Sequence, residues 1–424
     1  MKSLFFLRRF AVLLLIILLN NSLYSQSGWT RQPVNTLKTL WGISFINDNT
    51  GWVVGDSNII LKTTNGGTNW TKTTYGNGET FCYVKFVNQS TGWIGGFIVS
   101  HLVGFILRTT NGGSSWNRYD VPTTPYSFFS FRGDTVWSSA HSGYVMRSTN
   151  DGINWYNQPV HDSLELYTVY FINPLTGWTA GGVYRGDGLI FKTTNAGVTW
   201  FQQWRQLYTH FYTIWFVNDM TGYAVALYGY IMKTINGGNS WFVLESGVHY
   251  ILFAIEFPNL DTGYASGQNA NILKTTNAGG TWTKLLLPSG IDSSVTFGRM
   301  TFRSASTGWV IGDDGIILKT TNGGVVVGVR PIGNTIPTKF SLSQNYPNPF
   351  NPSTNIKFTL PKTTSTKLTI FDINGREVKT ILNDILQAGE YKINFNADNM
   401  TSGVYFYRLW TEYYSDSKKM ILIK

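Results

Sequence analysis

The strongest constraint on this chain is a unit that recurs seven times with a period of 39 to 46 residues. Its clearest copy is the segment ILKTTNGGTNW at residues 60–70, which joins an apolar strand to a tight turn and a tryptophan. Repeats of this length that are rich in strand formers are typical of propeller blades with four strands each. The sequence therefore predicts an all-β fold whose main part is a seven-bladed β-propeller.

Each repeat contains an asparagine turn whose residue types suit its geometry. Asparagine tolerates a left-handed backbone and can bond N–H groups further round the turn, and the glycine three residues before the tryptophan accepts a positive φ. A Thr or Ser two residues before the asparagine can close the turn from the other side. We interpret the turns as structural, and their asparagines are Asn65, Asn111, Asn150, Asn195, Asn236, Asn277 and Asn322.

The seventh repeat is incomplete, and residues near the start of the chain supply what it lacks. This repeat ends at Asn322-Gly-Gly-Val325 without a tryptophan, whereas Trp29 opens a strand that has no turn before it. We predict that Trp29 completes the seventh blade, so that the N-terminal strand closes the ring and removes its exposed edges.

Within a blade, four strands A to D run from an apolar segment to the strand that follows the tryptophan. The loops from D to the next A and from B to C meet on one face of a propeller, and we expect a ligand there. Packing between blades explains the aromatic residues of these loops equally well. The candidate binding residues are Tyr75, His101, Tyr126, His161, Arg185, Asp187, Trp204, Tyr208, His210 and Tyr250.

The repeat resembles two known patterns. Ser/Thr-x-Asn/Asp-x-Gly-x-x-Trp resembles the Asp box, or BNR repeat, of sialidases and sortilin-type propellers. The longer pattern with Thr-Gly-Trp and Ile-Leu-Lys-Thr-Thr-Asn-Gly-Gly resembles the photosystem II stability/assembly factor-like propellers. The resemblance implies structural turns on the face opposite the ligand, and protein interaction as the leading mode of action. It does not imply photosynthesis, because an exported protein would not meet a photosystem.

A formal net charge of +10 does not indicate a nucleic-acid partner. Residues 26–336 hold 19 Lys and Arg against 16 Asp and Glu, and seven of these cations occupy one repeated strand position. These seven are Lys62, Arg108, Arg147, Lys192, Lys233, Lys274 and Lys319. Charges that follow the repeat around a ring make no basic stripe, so we expect no binding to nucleic acid.

Residues 1–25 read as a signal peptide, with Lys2 and two arginines before an apolar run. That run, residues 10–19, is shorter than the roughly 20 residues needed to span a bilayer. We expect cleavage near Ser25 and no membrane span in the mature chain. Cys82 is the only cysteine, which excludes an internal disulfide.

The remaining chain divides into a propeller at residues 26–328, a linker at 329–338 and a C-terminal domain at 339–424. Short alternating strands in the last segment predict a small Ig-like β-sandwich. The pieces Asn345-Tyr-Pro-Asn-Pro-Phe-Asn-Pro352 and Ser402-Gly-Val-Tyr-Phe-Tyr407 resemble the type A C-terminal sorting domain of the type IX secretion system. The resemblance implies the type IX machinery as a partner and a secreted or outer-membrane cell-surface location in a Gram-negative bacterium. An adhesive Ig-like module is the alternative.

The sequence offers no enzymatic constellation. Sialidases need three arginines and a tyrosine beside a carboxylate, but arginines are few, and Arg108 and Arg147 hold the repeated strand position. A glycoside hydrolase needs two facing carboxylates, and the spacing of the loop acids singles out no pair. The loop acids are Asp56, Glu79, Asp162, Glu165, Asp187, Glu245, Asp292, Asp313 and Asp314.

All five histidines also fall in these loops, at His101, His141, His161, His210 and His249. Their unequal offsets from the A strands match no zinc-type spacing, so we expect neither a metal nor a cofactor. The sequence therefore favours a non-enzymatic, secreted or cell-surface scaffold for an unknown protein or glycan ligand. A carbohydrate-active hydrolase is the alternative.

Overall fold

The computed structural model describes residues 27–98, 103–121, 123–131, 134–162, 164–183, 186–324, 336–386, 388–397 and 400–423. The chain divides into two compact units, Gly28–Val325 and a C-terminal unit that begins at Val326. The predicted signal peptide and most of the predicted linker lie outside the described residues.

The first unit is a set of seven antiparallel sheets of four strands, numbered here in chain order. The chain begins with β1 (Gly28–Arg31). Sheet 1 contains β2 (Leu40–Phe45), β3 (Gly51–Gly55), β4 (Ile59–Thr63) and β5 (Thr71–Thr74). Sheet 2 contains β6 (Glu79–Phe86), β7 (Gly92–Ile98), β8 (Val103–Thr109) and β9 (Asn117–Val121). Sheet 3 contains β10 (Pro125–Phe131), β11 (Thr135–Ala140), β12 (Tyr144–Ser148) and β13 (Tyr156–Pro159).

The later sheets follow the same plan. Sheet 4 contains β14 (Glu165–Phe171), β15 (Gly177–Gly182), β16 (Gly188–Thr193) and β17 (Phe201–Gln206). Sheet 5 contains β18 (Phe211–Phe216), β19 (Gly222–Ala226), β20 (Ile231–Thr234) and β21 (Phe242–Leu244). Sheet 6 contains β22 (Leu252–Glu256), β23 (Gly263–Gly267), β24 (Asn271–Thr275) and β25 (Thr283–Lys284). Sheet 7 contains β26 (Phe297–Phe302), β27 (Gly308–Gly312), β28 (Ile317–Gly324) and β1.

Three single turns of 3-10 helix follow the B strands of sheets 3, 5 and 7, at His141–Gly143, Leu227–Gly229 and Asp313–Gly315. No helix among the described residues is long and apolar enough to cross a membrane. The first strand of each sheet packs against the first strand of the next, and β26 packs against β2. These seven first strands are therefore the inner strands of the unit.

Aromatic stacking joins neighbouring sheets. The strand B aromatic of one sheet lies face to face with a strand A phenylalanine of the next, as Trp52 does on Phe86 at 3.5 Å between ring centroids. Trp309 of sheet 7 stacks in the same way on Phe45 of sheet 1, at 3.8 Å. The glycine before each of these aromatics makes room for the strand A phenylalanine of its own sheet, since a Cβ on Gly51 would lie 2.6 Å from the Phe45 ring.

The N-terminal strand lies in sheet 7. β1 pairs antiparallel with β28, where Thr30 faces Lys319. Trp29 is 3 % exposed and meets Phe302 edge-on at 6.1 Å, as Trp70 meets the strand A phenylalanine of sheet 1 at 6.0 Å. Trp29 therefore has the same contact in sheet 7 that the closing tryptophans have in their own sheets.

The C-terminal unit is built from two antiparallel sheets. One contains β29 (Ser341–Leu342), β30 (Ser353–Leu360) and β33 (Gly389–Asn396). The other contains β31 (Thr364–Phe371), β32 (Glu377–Leu386), β34 (Gly403–Thr411) and β35 (Ser415–Leu422). Side chains of both sheets form one core, with Phe358 from the first sheet and Leu368 and Tyr407 from the second.

Candidate functional site

The seven asparagine turns use their polar groups within the fold. In the first turn, the Thr63 hydroxyl donates to Asn65 Oδ1 at 3.0 Å and accepts from the Gly67 N–H at 2.9 Å. Asn65 Oδ1 also accepts from the Asn69 N–H at 2.9 Å. The first two of these bonds recur in all seven turns. The turn side chains hold the loop in place.

Five of the seven repeated strand cations bond the turn of the next sheet. Lys62 Nζ donates to the carbonyl oxygen of Gly112 at 2.8 Å and lies 5.4 Å from the centre of the Trp52 ring. Lys192, Lys233 and Lys274 make the same bond to Gly237, Ala278 and Gly323. Burial lowers the pKa of Lys192 and Lys233. These cations have a structural role, which leaves the variable positions as candidates for a binding site.

A pocket of about 520 Å³ opens where the inner strands begin. Its rim includes residues of D-to-A loops, such as Thr39 and Thr296, and residues that follow B strands, such as Asp56 and Asp313. The pocket therefore lies on the face where the sequence predicts a ligand.

Seven β-bulges shape this pocket. In sheet 1 the pairing shifts between Leu40 and Gly42, so that Trp41 has no partner across the sheet. A bulge of this kind bends the strand and re-aims the side chain of the extra residue. Each of the seven inner strands has such a shift, and all seven extra residues line the pocket: Trp41, Cys82, Tyr126, Tyr167, Tyr212, Phe253 and Gly298.

Four consecutive bulge residues form an aromatic arc, namely Tyr126, Tyr167, Tyr212 and Phe253. Neighbouring ring centroids lie 5.4, 5.2 and 4.8 Å apart along the arc, within the range of favourable aromatic contacts. All four side chains are half-buried, so part of each ring is open to the pocket. The arc gives the pocket a continuous apolar wall across sheets 3 to 6.

The opposite wall is a single tryptophan between two small bulge residues. Trp41 is 42 % exposed, and its indole N–H donates to Asp56 Oδ1 at 2.8 Å. Cys82 and Gly298 lie at the bulges of the two adjacent sheets, and a Cβ on Gly298 would lie 4.0 Å from the Trp41 ring. The small neighbours leave space on both sides of an indole ring that Asp56 holds in place.

A cation lies at the floor of the pocket. Arg299 follows the bulge of sheet 7, and its guanidinium group donates to Thr213 Oγ1 of sheet 5 at 2.9 Å. The guanidinium carbon also lies 5.6 Å from the centre of the Tyr83 ring. Within the described part of the chain, Arg299 forms no ion pair with a carboxylate. Burial lowers its pKa from a very high value, and an arginine side chain remains charged in proteins.

Three ionisable groups of the pocket wall, Cys82, Tyr126 and Tyr167, are held in their neutral forms. Burial raises the pKa of the Cys82 thiol to about 12, although the Arg299 charge opposes the shift. Burial, with Tyr212 and Glu165 nearby, raises the pKa of Tyr167 to about 12. Burial also raises the pKa of Tyr126, whose hydroxyl donates to Glu165 Oε2 at 3.4 Å. At neutral pH these groups offer apolar surface and hydrogen bonds, without a thiolate or phenolate nucleophile.

Of the predicted binding residues, Tyr126 lines this pocket. His161 and Asp187 line a smaller depression of about 320 Å³ beside sheet 4, where Asp187 pairs with Arg205. His210 Nε2 lies 2.8 Å from the carbonyl oxygen of Val183.

The other predicted binding residues do not meet at one place. Trp204 packs on the core between sheets 4 and 5, and Tyr75 packs on the core between sheets 1 and 2. Tyr208 and Tyr250 are exposed on the surface, at 75 % and 49 %. His101 and Arg185 lie outside the described residues. Of the ten predicted binding residues, the structure therefore places Tyr126 in the central pocket.

Sequence reasoning missed Trp41, Tyr167, Tyr212, Phe253 and Arg299. A signal for most of them was present, because in six sheets a phenylalanine follows the bulge residue four positions later, at the end of strand A or directly after it. That position is aromatic in four of those six sheets. Strict alternation along a regular strand would keep this residue in the pairing register of its sheet, so alternation alone does not predict that it faces the pocket. Among the described residues, no three His, Cys, Asp or Glu side chains lie close enough to hold a metal ion.

Solved structures share the fold of the first unit. The structure titled "YCF48 bound to D1 peptide" has 20 % identity and a TM-score of 0.59, and covers 70 % of this chain and 96 % of that one. A GH74 enzyme from Niastella koreensis has 13 % identity and a TM-score of 0.56, covering 78 % of this chain and 59 % of that one. PorZ, a surface component of the type IX secretion system of Porphyromonas gingivalis, has 13 % identity and a TM-score of 0.50, covering 90 % and 59 %. No curated protein matches the sequence significantly.

Family models match both units. The model described as photosynthesis system II assembly factor YCF48 matches residues 21–164 and 235–344, which is more than half of the chain. The model described as secretion system C-terminal sorting domain matches residues 344–424. The first unit is thus a β-propeller of BNR-type repeats, and the last residues are a type IX sorting domain. The chain belongs to the family of the photosynthesis system II assembly factor YCF48.

Proposed function

We propose that this protein is a secreted, non-enzymatic binding scaffold built on a seven-bladed β-propeller that its N-terminal strand closes. The seven sheets are the blades, and the pairing of β1 with β28 supports closure. The stack of Trp309 on Phe45 supports it independently, because it joins the last sheet to the first.

The C-terminal unit is proposed to be an Ig-like sandwich that the type IX secretion machinery reads. Support comes from the sorting-domain match and from the two sheets that share one core. This assignment places the propeller outside the cell or on the outer-membrane surface of a Gram-negative bacterium.

The ligand is proposed to be a segment of another protein that inserts into the central pocket. The observation that carries this proposal is the set of seven bulges that turn seven variable side chains into one cavity. Apolar side chains of the segment would pack on the aromatic arc, and an acidic group would lie towards Arg299, which pairs with no carboxylate among the described residues. The structure titled "YCF48 bound to D1 peptide" supports a peptide as the ligand class.

A displayed library of random peptides, selected on the whole protein, tests this proposal. The double variant Y167A/Y212A removes the middle of the arc, and Tyr156→Ala is the matched control, because Tyr156 is 59 % exposed on β13 outside the pocket. We expect selected peptides to bind the control as they bind the wild type and to bind the double variant at least about tenfold more weakly. Equal binding to all three proteins would refute the pocket as the binding site.

A carbohydrate-active hydrolase is the second candidate. It is favoured by Asp56 and Asp313, both of which line the pocket, and by the likeness to a GH74 enzyme. Hydrolysis assays on plant and bacterial glycans, with Asp56→Asn and Asp313→Asn, separate the two functions. Turnover by the wild type that either variant abolishes would replace the scaffold with an enzyme.

A further inference from the structure

A second chamber lies deeper along the inner strands than the aromatic pocket. Its volume is about 400 Å³, and its lining includes residues at the far ends of strands A, such as Phe45, Phe257 and Phe302. Arg299 lines both cavities and lies between them. We call this cavity the lower chamber.

Positive charge dominates the lower chamber. Lys85, Arg299 and Arg303 line it, while Glu256 is the one carboxylate in its lining. None of these three cations forms an ion pair within the described residues. Lys85 is half-buried and Arg303 is exposed at the end of its strand. The wall of the lower chamber therefore holds more positive than negative charge.

The single carboxylate does little to balance this excess. Glu256 is only 9 % exposed and accepts a hydrogen bond from the Phe302 N–H. Burial raises the pKa of Glu256 to about 8, although the charges of Lys85 and Arg303 oppose the shift. At neutral pH this side chain is mostly protonated, and burial also lowers the pKa of Lys85. A bound anion would reverse the effect on Lys85 by stabilising its charged form.

Two cations of this wall are partly removed from water. Lys85 and Arg299 are half-buried. Partly buried cations cost free energy unless a partner compensates them. An anion with several acceptor oxygens would compensate these charges.

We propose that the lower chamber binds a phosphate-type oxyanion between Lys85 and Arg303. The chamber is larger than one phosphate group, which leaves room for the molecule that carries it. The site differs from the proposed peptide site, because Lys85 and Arg303 line the lower chamber and not the aromatic pocket. The phosphate could belong to a soluble molecule or to a lipid headgroup.

Two probes distinguish these sources. Calorimetric titration of the whole protein with millimolar inorganic phosphate tests a soluble anion, and cosedimentation with phosphatidylcholine vesicles containing phosphatidic acid tests a headgroup. Lys85→Met and Arg303→Gln should each weaken the bound probe about tenfold or more. Lys72→Gln is the control, because it removes one positive charge from an exposed position on β5.

The Glu256→Gln variant tests the predicted direction of the change in phosphate affinity with pH. Removing the carboxylate should leave phosphate binding intact at pH 7 and strengthen it above pH 8, where the wild-type side chain becomes charged beside Lys85 and Arg303. Melting temperatures of the variants exclude unfolding as the cause of a loss. The proposal is overturned if neither probe binds, if Lys72→Gln weakens binding as much as the chamber variants do, or if Glu256→Gln weakens it.

Discussion

Replacing Trp29 with alanine tests whether the N-terminal strand is part of the folded ring. Trp29 is 3 % exposed and lies in the same core cluster as Phe302 and Val310 of sheet 7. If β1 completes the seventh blade, the Trp29→Ala variant leaves a cavity in the core that sheets 6 and 7 share. If β1 is a loosely attached end, the variant unfolds like the wild type.

The expected magnitude follows from the area that the indole buries. A tryptophan side chain buries about 150–250 Å², which at about 25 cal/mol per Å² corresponds to roughly 4–6 kcal/mol as an upper value. Measured truncations of buried tryptophans cost about 3–5 kcal/mol. We therefore expect Trp29→Ala to lower the free energy of unfolding by about 4 kcal/mol.

Urea unfolding followed by tryptophan fluorescence and by circular dichroism measures this change. Trp70→Ala, the equivalent substitution in sheet 1, is the positive control because both rings meet a strand A phenylalanine edge-on at about 6 Å. Trp41→Ala is the negative control, since that ring is 42 % exposed, and it should cost about 1 kcal/mol or less. A Trp29→Ala protein as stable as the wild type, beside a destabilised Trp70→Ala protein, would refute closure by β1.

Three further predictions concern stability and reactivity. The Thr234→Val substitution removes a buried hydroxyl that donates to Asn236 Oδ1 and accepts from the Gly238 N–H. It should lower the free energy of unfolding by about 1–3 kcal/mol. An unchanged urea midpoint would contradict the structural role of the turn. Between pH 5 and 8 the folded protein keeps a proton on Glu256 that the unfolded chain has lost, so wild-type stability should fall as pH rises. The Glu256→Gln variant should lack that part of the fall. Parallel pH profiles of melting temperature for the two proteins would contradict this prediction. Cys82 should react slowly with a thiol reagent at pH 8 until the protein is denatured, because burial raises its pKa; rapid labelling of the native protein would contradict this expectation.

The repeat predicted the local structure well because its signals are local. A turn such as residues 63–70 is determined by the residues it contains, so its Thr, Asn and Gly indicate their own hydrogen bonds. The four-stranded sheets follow from the same period. The position of Trp29 was also predictable, because the seventh repeat lacks a tryptophan and Trp29 stands before the first repeat without a turn of its own.

The pocket was not predictable in the same way, because a bulge is a property of two paired strands. Nothing in residues 40–45 alone indicates that Trp41 leaves the pairing register while Leu40 and Gly42 remain paired. Sequence reasoning therefore assigned binding to loop residues such as Tyr208 and Tyr250, which the structure leaves exposed on the surface. Aligning the seven strands A on Trp41 and its equivalents would have shown that an aromatic residue recurs at this position in five sheets.

The bond that Trp309 donates to the carbonyl oxygen of Gly66, at 3.1 Å, has a consequence for how the protein can change over time. A row of repeats with two free ends can gain or lose a unit at either end without disturbing the others. Here the seventh sheet is held by the turn of the first, so an added or deleted unit would have to alter the curvature at every junction at once. The gain or loss of a single sheet is therefore strongly disfavoured.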